Sequence, residues 1–434
     1  MYLHSGLPQH QNGMYGLHHS FHHFQSFDPV QSLPLILNKT GDIWYGIIGK
    51  KHVGPEYVYP FPFAYTEENY NLDQVGRNIT FMKELVYKFL TEAKENDKQF
   101  LLYIGFFDVH RCGNIAKYGQ FCEKFGDGTP GMGTIPDWYP VDYSPDDVYV
   151  PYFIQNTTAA KEDLAAQYRA VSRMDQGIGL FMQALKDFGY ENDTIVIYTA
   201  DNGIPFPNAK TNLYDPGMAE PMMISNPLAR QRWGQETEAM ASLTDIVPTI
   251  LDWFGIPYPK YTIFGHNPVT LQGHSMLPLT EEEPASGWDT VFSSHNLHEV
   301  SMYYPTRVLR NKQYKLIHNV NYKMPYPIAT DIYSSPTFQD LLHNTINGTA
   351  TNWFKTLNQY YYRDPWELYD LEQDPHEMKN LASVPQYKDT FTKLASALHE
   401  WQNATDDPWL CAPNGVLENG SNGQPVCLTL DNNV

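Results

Sequence analysis

Asp201-Asn202-Gly203 closes the apolar run Thr194-Ile195-Val196-Ile197-Tyr198-Thr199-Ala200. A carboxylate followed by an amide oxygen offers two hard oxygen donors, the type that calcium and magnesium select. The β-branched run predicts a buried strand, and binding residues in α/β sheets gather at strand ends. Asp-Asn-Gly is also good turn chemistry, so its meaning depends on what else arrives at the same edge. Two more apolar runs end in polar residues. Tyr45-Gly46-Ile47-Ile48 leads into Gly49-Lys50-Lys51-His52-Val53-Gly54, and Phe100-Leu101-Leu102-Tyr103-Ile104-Gly105-Phe106 into Asp108-Val109-His110-Arg111. Lys210-Thr211-Asn212-Leu213-Tyr214 follows Asn202, and then come Gly217 and Pro221.

The elements that carry these residues alternate between strand and helix up to about residue 280, which predicts an α/β fold: a mixed, mostly parallel sheet covered by helices. Leu164, Tyr168, Val171, Ile178 and Leu185 recur at near-helical spacing between Asp163 and Asp187, with Gly189 as a stop. Ser242 to Phe254 predicts a second amphipathic helix, kinked at Pro248. The Pro- and Glu-rich stretch Pro278 to Pro284 marks a boundary, giving a domain over 1–283 and a smaller one over 284–434. In the second, Thr290-Val291-Phe292, Thr306-Arg307-Val308-Leu309 and Tyr314-Lys315-Leu316-Ile317 predict short strands, followed by a helix from Lys388 to Trp401. His4, His10, His18, His19, His22 and His23 match no zinc spacing and are read as packing or surface residues. The paired acids Asp146-Asp147 and Asp406-Asp407 sit beside prolines in polar stretches and are read as solvated turns. After Pro413 the sequence is a polar tail.

The chain has 434 residues, 42% hydrophobic and 14% aromatic, with 29 Lys and Arg against 49 Asp and Glu, a formal charge of −20. That balance argues against nucleic-acid or anionic-membrane binding, which needs basic surface. No apolar run approaches the roughly 20 residues of a membrane span. Asn-x-Ser/Thr sequons at Asn38, Asn78, Asn156, Asn192, Asn347, Asn403 and Asn419 point to a glycosylated product of the secretory pathway. Met1-Tyr2-Leu3-His4-Ser5 shows no basic or apolar leader pattern.

Several stretches carry a resemblance in order along the chain: Gly6-Leu7-Pro8-Gln9-His10-Gln11-Asn12-Gly13-Met14-Tyr15-Gly16, Gly49 to Glu56, His110-Arg111-Cys112-Gly113, Asp201 to Pro207, Trp366-Glu367-Leu368-Tyr369-Asp370 and Asp374-Pro375-His376-Glu377. By these the chain resembles the sulfatase family of the alkaline-phosphatase-like superfamily, nearest to its members that remove N-linked sulfate from glucosamine during heparan sulfate degradation. The resemblance implies a lysosomal hydrolase whose smaller C-terminal α+β domain is built on an antiparallel sheet, with heparan sulfate or N-sulfoglucosamine as substrate and a homodimer as a common assembly. It implies one divalent cation, calcium, on Asp201 and Asn202. It places Lys50 and His52 at the formylglycine nucleophile, Lys210 on the sulfate, His110 where it can protonate the leaving nitrogen, and His298-Glu299 along the sugar pocket. An acidic protein handling an anionic sugar must gather its few cations at the site, and Lys50, Lys210 and Arg111 are the candidates. Four cysteines allow three connectivities; proximity and resemblance favour Cys112 with Cys122 and Cys411 with Cys427, with free thiols as the alternative. Two positions depart from the pattern: Phe107 stands where a histidine is expected, and Lys210 where closer relatives carry arginine.

The family pattern also includes a first strand ending in paired aspartates, and a Cys-x-Pro-Ser-Arg motif whose cysteine becomes formylglycine. No cysteine here fits: Cys112 precedes Gly-Asn, Cys122 Glu-Lys, Cys411 Ala-Pro and Cys427 Leu-Thr. The expectation is a sulfatase lacking its N-terminal segment and inactive as written, with unpaired sheet backbone where the first strand is missing. The alternatives are a non-catalytic protein of the same fold that binds sulfated glycans or regulates an intact partner, and a metal-dependent phosphodiesterase of the superfamily.

Overall fold

The computed structural model describes residues 2–112, 118–265, 267–420 and 425–430. β1 (Ile43–Gly49) is buried along nearly its whole length, as an apolar run without alternation requires. It pairs in parallel with β2 (Phe63–Thr66) on one side and β3 (Gln99–Gly105) on the other. β4 (Val196–Thr199) and β5 (Met222–Ser225) form a separate antiparallel pair. The outer edges of β3 and β4 pair with no other strand among the described residues, and both strands line one cavity of about 1700 Å³.

Helices cover both faces of this sheet. On one face Ile79–Glu95, capped by Asn78 Oδ1 accepting from Phe81 N at 3.2 Å, packs Leu85, Val86 and Phe89 against Phe181 and Ala184. The last two lie on the long helix Thr158–Phe188, which ends at left-handed Gly189 as its sequence predicts. On the other face Leu33–Thr40 and Ile246–Trp253 bury Ile36, Leu37, Val247 and Ile250 against Tyr45 and Ile47. Ser242 and Asp245 form a capping box that starts this segment as a 3₁₀ turn. Pro248 then falls in the first α-helical turn, where its missing N–H costs little and produces no break.

The later half of the chain builds a four-stranded antiparallel sheet in sequential order: β6 (Thr290–His295), β7 (Thr306–Asn311), β8 (Tyr314–Asn319) and β9 (Trp366–Asp370). The helix Lys388–Ala404 packs Leu394, Leu398 and Trp401 on Leu309, Leu316 and Leu368. The opposite face presents Val308, Ile317 and Tyr369 to Tyr214 of the first half. The polar tail is no coil; it holds a hairpin of β10 (Gly415–Asn419) and β11 (Pro425–Thr429). The structure pairs Cys112 with Cys122 and Cys411 with Cys427. Among the described residues no helix is long and apolar enough to cross a membrane.

One acid pair departs from expectation. Asp146 and Asp147 are exposed, but Asp407 is fully buried and accepts from Arg307 Nε at 2.6 Å and Nη2 at 2.8 Å. Arg307 lies inside β7 with no exposed surface, so the chain must bring it a counter-charge, and the turn after the last long helix does so.

Candidate functional site

Three chain crossings deliver the site. At the end of β1, Gly49 has φ near +90°, and a Cβ there would lie 2.0 Å from the Gly105 carbonyl. Only glycine lets the ends of β1 and β3 approach this closely. The turn sends Lys50 across to β4, where its Nζ donates to Asp201 Oδ2 at 2.7 Å. Two residues on, His52 Nε2 meets Glu67 Oε1 at 3.0 Å, and Glu67 also accepts the Lys51 N–H at 3.1 Å. His19 stacks on the His52 ring at 4.6 Å.

Beyond β3, Asp108 is clamped by Arg173 at 2.7 and 2.8 Å, which fixes the loop carrying His110. His110 Nδ1 donates to the Arg111 carbonyl at 2.7 Å, so Nε2 carries the lone pair and faces Lys210 Nζ at 3.0 Å. Lys210, 3% exposed, also donates to Asp331 Oδ2 at 2.7 Å. Beyond β4, Gly203 allows close packing on the Pro216 carbonyl, 2.1 Å from where a Cβ would sit, and this turn presents Asp201 and Asn202.

Lys50, His52, His110, Asp201, Asn202 and Lys210 all line the same cavity, as do His298 and Glu299 from the segment after β6. Arg111 does not. It is buried against Asp163 at 2.7 and 2.9 Å and under the Pro205 carbonyl, so the expectation that it serves as a site cation is corrected: its charge is consumed in holding the loop to the long helix.

The charges act strongly on one another. Burial raises the Asp201 carboxyl, but the Lys50 ammonium more than offsets this and holds it well below the usual carboxylate range. The Lys210 ammonium, then burial and Lys50, keep His110 neutral far below the ordinary histidine value, with Asp331 acting in the opposite sense. His298 is lowered by burial and by Lys210. Glu220, which sequence reasoning missed, lines the cavity with a buried Oε1 that has no hydrogen-bond partner; burial and the nearby Asp201 charge push it up to about 8. Asp201, Asn202 and Glu220 thus offer hard oxygens suited to a divalent cation, fewer than the six to eight that calcium takes. Among the described residues no group of three or more His, Cys, Asp and Glu is arranged to hold a metal. Glu67 and Asp331 were also missed. Glu67 had a weak signal, a helix start just after a short strand; Asp331, 121 residues from Lys210, had none.

The N-sulphoglucosamine sulphohydrolase C-terminal model matches residues 208–344 and 330–404. The chain is 58% identical over 429 residues to N-sulphoglucosamine sulphohydrolase of Homo sapiens, covering 99% of this chain and 84% of that protein. It is 27% identical over 285 residues to an ulvan-active sulfatase of Formosa agariphila, covering 64% of this chain and 45% of that one. In fold it is similar to a solved 2-O glycosaminoglycan sulfatase, with TM-score 0.59 and 17% identity over 94% of this chain and 81% of that one. A second solved structure, in complex with its substrate D-glucosamine-2-N,6-O-disulfate, gives TM-score 0.58 at 17% identity over 93% of this chain and 87% of that one. The sulfatase model itself matches residues 3–256, the part of the chain that carries Lys50, His110, Asp201 and Lys210, and the chain belongs to the sulfatase family.

Proposed function

We propose that this cavity takes a glucosamine carrying an N-sulfo group, at the end of a heparan sulfate chain, and that its chemistry is hydrolysis of the N–S bond. The observation that carries the reading is the meeting of Lys210 with His110 and of Lys50 with Asp201 in one cavity. Two ammonium groups suit the three oxygens of a sulfuryl group. His110 Nε2 suits the nitrogen, because an amide-like anion leaves badly and an amine leaves well. An anionic sulfamate between Lys50 and Lys210 offsets the charges that keep His110 neutral, so substrate binding itself favours proton uptake at Nε2. His52, braced by Glu67, is the second imidazole available to move a proton. Asp201 and Asn202, with Glu220 beside them, would hold a divalent cation such as calcium, which when bound adds positive charge against the sulfuryl oxygens. His298 and Glu299 would line the sugar side.

The four cysteines of these 434 residues form two disulfides, so none of them is free to supply a formylglycine. The alternative reading is a non-catalytic binder of sulfated glycans. The sequons fit a secretory, lysosomal glycoprotein: Asn38, Asn156, Asn192, Asn347 and Asn403 are exposed and Asn78 is half-buried, while the side chain of Asn419 lies outside the described residues. A homodimer rests on resemblance alone.

Calorimetric titration with N-sulfoglucosamine and N-acetylglucosamine, each with calcium or with chelator, tests the proposal, with released sulfate measured in parallel. Binding of the N-sulfo sugar only, weakened at least about tenfold in Lys210→Met, supports the site. Sulfate release supports hydrolysis by these residues, and binding without release supports the binder. No binding of the N-sulfo sugar overturns both.

A further inference from the structure

Lys210 arrives on the loop after β4, yet the group that fixes it comes from the other half of the chain. Asp331 sits in the helical turn Thr330–Tyr333, 7% exposed, with Oδ1 accepting the Ile332 N–H at 3.0 Å and Oδ2 accepting from Lys210 at 2.7 Å. The turn is itself pinned. Thr330 donates its N–H and its hydroxyl to the two oxygens of Glu299 at 2.8 and 2.7 Å. From that anchor Asp331 Oδ2 lies 3.9 Å from His110 Nε2, beyond hydrogen-bonding distance, so it touches His110 only through Lys210. A long lysine side chain has three donors and much rotamer freedom. Without a second partner, Lys210 Nζ has no reason to keep one N–H aimed at Nε2.

We propose that Asp331 is a positioning residue, which holds Lys210 Nζ against His110 Nε2 and so keeps that nitrogen the bare, proton-accepting one. The halves of the chain are thereby joined through the chemistry of the site, with Glu299 bracing the turn from behind. The claim concerns the free protein and holds for any anion the cavity takes; only its consequence for turnover rests on the hydrolytic reading above.

The sign of one measurement separates positioning from simple charge. The groups facing His110 are Lys210, Lys50, Asp331, Asp201 and His298. If Asp331 acted only as a negative charge, Asp331→Asn would lower the His110 titration midpoint further. If it holds Lys210 in place, the same substitution lets the ammonium swing away and the midpoint rises. Imidazole resonances of isotopically labelled histidine in the whole chain, with His110 assigned by its loss in His110→Gln, read this directly without substrate. The expected result is an upward shift of about one unit or more in D331N, matched in direction by Lys210→Met. Glu299→Gln, which slackens the same turn, should shift it upward by less and serves if D331N does not fold. A downward shift or no shift in the folded variants overturns the proposal. Because no sugar enters the experiment, that outcome is distinct from failure of the binding titration.

Discussion

His10 should make this protein lose stability in mild acid. Its ring is fully buried, edge-on to Trp401 at 4.9 Å, with Nε2 on the Thr405 hydroxyl at 2.7 Å and Nδ1 without a partner. Burial, opposed by Asp407 and aided by Arg307, brings it from the ordinary 6.5 down to about 3. The folded protein therefore keeps His10 neutral at pH values where the unfolded chain protonates it. The stability this contributes is present above about pH 6.5 and is lost as pH falls from there toward about 3. At about 1.36 kcal/mol per unit, partly saturated near pH 7, the loss between pH 7 and pH 5 is about 2 kcal/mol. His10→Gln keeps a group for Thr405 and removes the titration. At pH 7 the variant is less stable through lost packing on Trp401, and at pH 5 that penalty shrinks by about 2 kcal/mol. Urea unfolding of both proteins at the two pH values gives the four stabilities needed. An equal penalty at pH 7 and pH 5 would refute the assignment of a neutral, buried His10.

Two further outcomes follow from the buried charges and the open strand edges. Asp407→Asn leaves the Arg307 guanidinium buried without its counter-charge and should cost about 3–5 kcal/mol in urea unfolding at pH 7; a loss below about 1 kcal/mol would contradict the burial of that pair. In hydrogen exchange, alternate amides of β3 and β4 that point into the cavity should exchange on the order of a hundredfold faster than those of β1, which is paired on both sides, and uniform protection across the three strands would show the edges to be covered.

What could be read from residue order alone follows physical reach. The run ending at Ile48 is apolar because both faces are covered, and that local demand makes a strand visible; the runs ending at Phe106 and Ala200, expected to be buried, are half-buried where β3 and β4 line the cavity. Their polar endings were visible for the same reason, since only at a strand end can Lys50, His110 or Asp201 leave the core. Where a charge depends on a distant partner, local pattern misled. Asp407 looks like a turn acid beside Pro408, and only a fully buried Arg307 one hundred residues earlier makes it a core residue. Arg111 follows His110 and looked like a site cation until Asp163 claimed it from the long helix. Both errors have one cause: a side chain's partner is a property of packing, and packing between elements leaves no periodic mark. Asp331 shows the same limit at the site itself. Nothing in Ala329-Thr330-Asp331-Ile332-Tyr333 distinguishes that acid from any other at the start of a short helix, yet it lies within 2.7 Å of the lysine most deeply set in the cavity. The half of the site that lies on strand ends is therefore legible as sequence, while the half that orients it exists only once the antiparallel sheet has docked.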